Sequence, residues 1–491
     1  MSVWLALFPL LLASAGVLVA LGFDGYDQRV AAIASVVVSL LAAAGVSGWM
    51  AVRFDLTLVG SANIAVGVGY SAVSAVVFLI AAITLVGGSM RNVEIPAGGQ
   101  IAALTGLLAV AASLLISSRD VLIIIIALEA VGVTSYALVS VGRQRRTDEA
   151  AMKYFIQGAA TTGLVLYALS ILYGLFGGSL LLGDISASVG ASSGRPALLA
   201  LALLIVTYAF KLGAFPFHSW ALDAYETTTP STTSFLATAP KIAILGSLMV
   251  VMPLVGFSAK GFATTGFMLF ALLATASIIF GNFGALRQLA FTRMLAYSGI
   301  AQVGYVLIGV AAAFLLAPAS RTGLAVIVAG VTYALAASAA FMGAQAVRAV
   351  LPAWDGGVSG LAGLARKRPA LSAAMTVSLL SLTGIPLTAG FWGKFGVFVD
   401  AVSVGSVWLV VIGLIGSVVS FGYYGGVIKS MYLDEPVHLP ALSVGADRAA
   451  DGAPDLGAEA AAIVLAVLVL ALGILPLVYG FSFLNSVFVI A

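Results

Sequence analysis

The sequence predicts an all-α integral membrane protein of about 14 transmembrane helices with two inverted five-helix repeats, each containing a broken helix. Of its 491 residues, 62% are hydrophobic and only 8% are charged, whereas a soluble domain has roughly 25% charged residues. Apolar runs of about 20 residues, enough for a helix to cross a hydrocarbon core of about 30 Å, recur along the whole chain. In two of these runs a proline or glycine interruption lies near a lysine.

The apolar runs place the transmembrane spans in order. The first run lacks a basic n-region and a clear small-residue cleavage site, so we expect a retained helix and not a signal peptide. No soluble domain is expected, and the lipid bilayer is the chain's main environment. The runs lie near residues 3–22, 30–50, 64–87, 99–117, 121–141, 150–176, 196–217, 231–254, 262–282, 296–317, 322–347, 370–398, 404–428 and 459–481.

The two interrupted spans predict an internal duplication. Span seven carries Lys211 and is interrupted at Pro216, and span twelve carries Lys394 after Gly384 and Pro386. These spans are five apart, which indicates repeats of spans four to eight and nine to thirteen. An odd number of helices per repeat inverts the topology, a common transporter design whose site lies at the discontinuous helices.

We therefore divide the chain into four parts. They are packing helices at 1–98, a first repeat at 99–254, a second repeat at 255–432, and a loop with a C-terminal helix at 433–491.

Basic residues outside the spans favour one side of the membrane. Loops after odd-numbered spans hold Arg29, Arg91, Arg143, Arg145, Arg146, Arg287, Arg293, Arg348, Arg366, Lys367, Arg368, Lys429 and Arg448. Loops after even-numbered spans hold only Arg53, Arg119, Arg195, Lys260 and Arg321. The positive-inside rule makes the odd loops cytoplasmic, so both termini are expected on the outer face.

Three ionisable residues lie at bilayer depth. Glu129 follows Asp120 by nine residues and is therefore about 13 Å deeper, near mid-membrane. It is either a protonated side chain bonded to a neighbouring helix or a carboxylate paired with a lysine. Lys211 and Lys241 lie too deep to extend to water easily. Each is either a fixed ion-pair partner or a group that changes protonation state and so moves a proton.

Lys394 is a fourth candidate for proton transfer, and Lys153 and His218 are weaker ones. Lys394 lies towards the end of span twelve, and its place in the second broken helix favours a functional role. Lys153 begins span six, where its ammonium could also extend to the interface. His218 follows Pro216 at the first break and could either cap freed carbonyls or relay protons.

Several function classes are excluded. The chain has no cysteine, so it cannot ligate an iron–sulfur cluster through thiolates or form a disulfide. The sequence contains no GxGxxG after a strand, no P-loop and no HExxH motif. We expect no cofactor, metal or nucleic acid on this chain, and any redox centre must lie on another polypeptide.

Five ordered stretches resemble the antiporter-like membrane subunits of respiratory complex I. Among these, Lys394 and the AxPK form around Lys241 resemble the subunit N type. The stretches are SRDVLIIIIALEAVGVTSYAL (118–138), EAAMKYFIQGAATTGLVLYALSILYGLFG (149–177), FKLGAFPFHSWALDAYETTTPSTTSFLATAPK (210–241), GNFGALRQLAFTRMLAYSGIAQVGYVLIG (281–309) and LSLTGIPLTAGFWGKF (380–395).

The resemblance implies roles for the candidate residues. Glu129 would pair with Lys211, Lys241 would be the central lysine, and Lys394 would be the lysine of the second broken helix. Lys153 would match a span-six lysine of subunit N. The chain would be a non-redox, proton-translocating subunit of an NADH:quinone reductase in a bacterial plasma membrane. Its partners would be neighbouring antiporter-like subunits and, indirectly, a peripheral arm that holds NADH, FMN, iron–sulfur clusters and quinone.

Two departures from the family pattern concern the site. The usual HxWxPDVYEGAP reads HSWALDAYETTT from His218, and the histidine of AYSSIAHxGY is Gln302, which cannot be protonated. Two alternatives stay open: a subunit of a multi-subunit cation/proton antiporter, which shares the repeat, and a structural scaffold with relic charges.

Overall fold

The computed structural model describes residues 3–53, 64, 68–94, 97–141, 145–175, 178–179, 181–182, 184, 195–256, 260–316, 322–352, 354–435 and 455–479. Within these residues, 13 helices are long and apolar enough to cross a membrane. The broken span formed by Pro369–Thr383 and Ala389–Ser403 adds to them. The predicted all-α membrane fold is confirmed.

The helices follow the predicted order. They are α1 (Val3–Gly25), α2 (Arg29–Arg53), α3 (Val68–Glu94), α4 (Gly98–Ser117), α5 (Val121–Ser140), α6 (Arg145–Leu175), α7 (Arg195–Leu212), α8 (Ser219–Thr227), α9 (Pro230–Leu236), α10 (Ala239–Gly256), α11 (Lys260–Leu286), α12 (Phe291–Ala313), α13 (Thr322–Val350), α14 (Leu364–Lys367), α15 (Pro369–Thr383), α16 (Ala389–Ser403), α17 (Val407–Tyr432) and α18 (Leu456–Tyr479). A short 3₁₀ turn at Val358–Leu361 precedes α14.

Burial separates central helices from peripheral ones. In α12 and α13, 94% of the residues in the membrane-spanning window are buried, compared with 28% in α6. Helix α13 packs against α9 and α10 on one side and against α15 and α16 on the other. Its Ser338 hydroxyl contacts that of Thr238 at 3.0 Å. Helix α13 therefore joins the two halves of the molecule.

Both predicted breaks have the same local geometry. Helix α7 ends before Gly213, where φ is +72°, and the Ala214 N–H donates to the Ala209 carbonyl at 2.8 Å. Helix α15 ends before Gly384, where φ is +93°, and the Ile385 N–H donates to the Leu380 carbonyl at 3.1 Å. A left-handed residue with this six-to-one bond is a common glycine-dependent helix stop. Both breaks therefore share one type of helix stop.

The two lysines of the broken helices occupy different halves. Lys211 lies in the last turn of α7, because this helix ends at Leu212 and not near residue 217 as expected. Lys394 lies in α16, after the break. The two lysines are therefore not equivalent positions within the duplicated helix.

Span eight contains a third break that the sequence did not predict. It consists of α9 and α10, separated at Ala237 and Thr238, with Lys241 in the first turn of the second half. The Tyr333 hydroxyl donates to the Ala237 carbonyl at 3.1 Å. Each buried lysine of the predicted site therefore lies beside interrupted backbone, which is tolerated at this depth where protein groups satisfy it.

Parts of the charge pattern lie outside the described residues. These are Arg143, Arg321, Arg448 and the residues after Tyr479. The sidedness of the loops therefore stays a prediction from the positive-inside rule.

Candidate proton-translocation site

Glu129 on α5 and Lys211 on α7 form a buried ion pair. Glu129 Oε1 lies 3.1 Å from Lys211 Nζ, and the exposed fractions of the two side chains are 22% and 1%. The Thr162 hydroxyl on α6 donates to Glu129 Oε2 at 2.6 Å. Lys211 Nζ also donates to the Leu128 carbonyl at 3.3 Å. The ammonium is thus buried, and so is Glu129 Oε1, although the Glu129 side chain as a whole is partly exposed.

Lys241 carries a buried ammonium without a counter-ion among the described residues. Its exposed fraction is 3%, and Nζ lies 5.7 Å from the ring centroids of both Tyr225 and Tyr333. At such a distance the electron-rich ring faces attract a cation. These two rings compensate for the absent carboxylate only in part, because isolated buried charge is costly.

Lys394 binds the end of the interrupted helix. Its Nζ donates to the carbonyls of Leu382 and Thr383 at 3.0 and 2.8 Å, and to the Ser417 hydroxyl at 3.2 Å. The Tyr305 ring centroid lies 4.1 Å away. Both carbonyls lack a helical partner because α15 ends there, so the negative end of a helix dipole faces the ammonium.

Helix α12 lies between the Lys241 and Lys394 sites. A Cβ added to Gly299 would lie 3.7 Å from Lys241 Nζ, so the helix backbone approaches that lysine closely. One turn further along, Gln302 Nε2 donates to the Leu382 carbonyl at 2.6 Å. A polar cavity of about 20 Å³ is lined by Gln302, Tyr333 and Lys394. Such a volume holds one water molecule.

The two weaker candidates, Lys153 and His218, form ion pairs and ring contacts with residues other than the three buried lysines. Lys153 forms ion pairs with Glu149 at 2.8 Å and Asp223 at 3.2 Å, and it is 49% exposed. It does not pair with Glu129. The His218 ring packs near Phe215 and Phe280. Its Nδ1 has no hydrogen-bond partner in the part of the chain that the structure describes.

Sequence reasoning did not identify the tyrosines of the site. Tyr225 and Tyr333 face Lys241, and Tyr305 faces Lys394. Tyrosine in membrane proteins is enriched at the two interfaces. A tyrosine deep within a span is therefore unusual, and this could have marked it as a candidate site residue. Which lysine each tyrosine faces depends on helix packing.

The fold and the line of buried lysines define an antiporter-like membrane subunit. Residues 118–420 match the family described as NADH:quinone oxidoreductase/Mrp antiporter, TM. The chain belongs to this family.

Curated relatives support a narrower grouping. The chain is 35% identical to NADH-quinone oxidoreductase subunit N of Desulfitobacterium hafniense over 356 residues, which covers 70% of this chain and 71% of that protein. It is 40% identical to subunit N 2 of Syntrophobacter fumaroxidans over 336 residues, covering 67% and 68%. The predicted resemblance to subunit N is confirmed.

Solved structures share the fold over nearly the whole chain. A chain of respiratory complex I from Thermus thermophilus matches with a TM-score of 0.75 and 28% identity, covering 95% of this chain and 97% of that one. A chain of the Mrp complex from a Dietzia species matches with a TM-score of 0.79 and 18% identity, covering 100% of both. The second likeness shows the fold alone.

Proposed function

We propose that this chain is a proton-translocating membrane-arm subunit of an NADH:quinone oxidoreductase. It couples quinone reduction elsewhere in the complex to proton transfer through Glu129, Lys211, Lys241 and Lys394. The observation that carries the proposal is the arrangement of three buried lysines beside three helix breaks, of which only Lys211 has a carboxylate partner among the described residues. Buried ionisable groups of this kind mark ion pathways in membranes.

The ion pair is the control element of this mechanism. While the Glu129 carboxylate stays paired with Lys211, its negative charge stabilises the Lys211 ammonium. Charge movement elsewhere in the complex that draws the carboxylate away leaves Lys211 as an uncompensated buried cation. Lys211 then releases its proton through water towards Lys241, which has no carboxylate partner in the part of the chain that the structure describes.

The second half receives the proton. From Lys241 the proton passes to the cavity water beside Tyr333 and Gln302, and from there to Lys394. Gln302 holds this water by hydrogen bonds and does not itself change protonation state. Lys394, bound to the carbonyls of Leu382 and Thr383, is the last lysine before the outer side. Release of the proton from Lys394 returns the lysines to their starting protonation states.

The remaining machinery belongs to partner subunits. NADH, FMN, the iron–sulfur clusters and quinone are assigned to them, and the absence of cysteine from this chain excludes thiolate ligation of the clusters here. The outward face of α6 carries Lys153, paired with Glu149 and Asp223. Only 28% of the membrane-spanning window of α6 is buried within this chain, and we assign its outward face to a neighbouring antiporter-like subunit. The complex lies in the bacterial plasma membrane, with both termini of this chain on the outer face.

Alanine substitution tests the proposal. We expect Lys211→Ala and Lys241→Ala to lower both quinone reductase activity and proton pumping in membrane vesicles while the complex still assembles. Lys429→Ala is the control, because Lys429 is 65% exposed and pairs with Asp434 at the surface. Normal pumping by both buried-lysine variants would remove these residues from the mechanism.

An antiporter subunit is the second candidate, because the matched family includes Mrp antiporters. Purification in mild detergent separates the two. Flavin and iron–sulfur partners support the oxidoreductase, whereas a small set of hydrophobic partners with sodium-dependent exchange supports the antiporter. If the chain were only a scaffold, substitutions of Lys153, Lys211, Lys241 and Lys394 would all be silent.

A further inference from the structure

We propose that the Tyr136 hydroxyl passes protons to Lys211 of the Glu129–Lys211 pair. Protons reach this hydroxyl along the polar face of α6. This inference rests on the proposed function and extends it by naming a route and a residue. The route begins at the arginine-rich N-terminal end of α6, which the charge pattern places on the cytoplasmic side.

Tyr136 lies on the same face of α5 as the buried carboxylate. Glu129, Gly132 and Tyr136 are spaced i, i+3 and i+7, which aligns them along one side of a helix. Tyr136 is 7% exposed. Its hydroxyl oxygen is buried and has no hydrogen-bond partner among the described residues. Burying a hydroxyl without a partner is unfavourable, so the group requires an explanation.

Two glycines make space for this hydroxyl. A Cβ on Gly158 of α6 would lie 1.9 Å from the Tyr136 oxygen, and a Cβ on Gly132 would lie 2.9 Å from it. That same Gly132 Cβ would lie 2.7 Å from Lys211 Nζ. The hydroxyl and the ammonium therefore face one shared gap across Gly132, and a single bridging water can span such a separation. Any other residue at Gly132 or Gly158 would block the approach.

A row of polar side chains on the neighbouring face of α6 leads to its exposed end: Glu149, Lys153 and Gln157 follow one another at i, i+4 spacing. Gln157 precedes Gly158, and its Nε2 donates to the Ser219 hydroxyl of α8 at 3.2 Å. One turn closer to the helix start, Lys153 lies between Glu149 and Asp223. Glu149 and Lys153 are largely exposed and Gln157 is half-buried, so the polar groups lead from an accessible surface to the depth of Gly158 and the Tyr136 hydroxyl.

The chemistry is a relay through one hydroxyl. The Tyr136 oxygen accepts a proton from a water on the Gln157 side while its own O–H proton leaves through water towards Lys211. Rotation about the C–O bond then restores the starting orientation. One proton enters and one leaves, and the phenol ends in its original neutral form. Gln157 and Ser219 hold the water and keep their own protons.

The test is Tyr136→Phe in the assembled complex, with Tyr208→Phe as the matched control. The first substitution removes only an unpartnered oxygen, so folding is preserved. Tyr208 is a buried tyrosine on α7 whose hydroxyl bonds with Ser247 at 2.7 Å, so its variant loses more stabilising contact. We expect Tyr136→Phe to lose most proton pumping, with a larger solvent deuterium isotope effect on turnover, and Tyr208→Phe to retain both parent values.

A second variant, Gln157→Leu, tests the α6 part of the route and is expected to lower pumping in the same direction. Parent-like pumping and isotope effect in Tyr136→Phe would overturn the inference, as would an equal loss in Tyr208→Phe. Lys211→Ala separates this failure from that of the proposed function. If Lys211→Ala abolishes pumping and Tyr136→Phe does not, only the loading route is wrong.

Discussion

Gln302 and Lys394 donate hydrogen bonds to the same backbone oxygen, the Leu382 carbonyl, at 2.6 and 3.0 Å. This carbonyl is available because α15 stops at Gly384, whose left-handed backbone ends the helix. The Gln302 amide thereby holds the Leu382 carbonyl in place, so that this carbonyl does not move when the Lys394 ammonium moves. We infer that Gln302 positions Lys394 through this shared carbonyl.

Removing the amide should slow transfer between Lys241 and Lys394. Gln302→Leu leaves the Leu382 carbonyl to Lys394 alone and removes a polar group from the 20 Å³ cavity. We expect proton pumping to fall while the complex assembles, measured in membrane vesicles by a pH-sensitive dye. Gln345→Leu is the control, since Gln345 is equally buried but lies outside this cavity. Equal pumping by both variants would contradict the positioning role.

The sequence alone predicts the residues whose burial is energetically costly whatever the packing of the helices. Lys211 stands out because a lysine at bilayer depth is expensive in any packing arrangement, and the membrane fold followed from composition and run length. The break before Lys241 was missed because Pro240 lies at the start of α10, where proline is compatible with a helix. Tyr136 was missed because its importance depends on glycines of two helices.

Lys241→Arg distinguishes a moving proton from a fixed charge. Arginine keeps the positive charge between Tyr225 and Tyr333 but is effectively never deprotonated in proteins. If the proton passes over Lys241 itself, the variant should fail to pump, since loss of a positioned proton-transfer group slows a step by roughly 10²-fold or more. Lys429→Arg, at an exposed site, should pump normally. Retained pumping in Lys241→Arg would mean that only the charge matters.

The C-terminal helix is held by a charged contact whose loss should be measurable. Arg368, immediately before α15, pairs with Glu459 of α18, and their side chains are 25% and 12% exposed. We expect Glu459→Gln to destabilise the protein by about 1–2 kcal/mol, between the values for exposed and buried pairs. Asp434→Asn, at a pair that is 65% and 41% exposed, should have little effect. Thermal unfolding in detergent would show the ranking, and equal melting temperatures would argue against it.

A methyl group at the second break should displace Lys394. A Cβ on Gly390 would lie 1.9 Å from the Ser381 carbonyl oxygen, so α16 could no longer approach the end of α15. Forcing such an overlap costs about 1–3 kcal/mol, and the shift moves Lys394 away from the Leu382 carbonyl. We expect Gly390→Ala to lower both thermal stability and pumping. Gly426→Ala is the control, since a Cβ there meets nothing within 4 Å, and it should stay neutral or gain up to about 1 kcal/mol from the better helix propensity of alanine. Full pumping with unchanged stability in Gly390→Ala would show that the two half-helices tolerate separation.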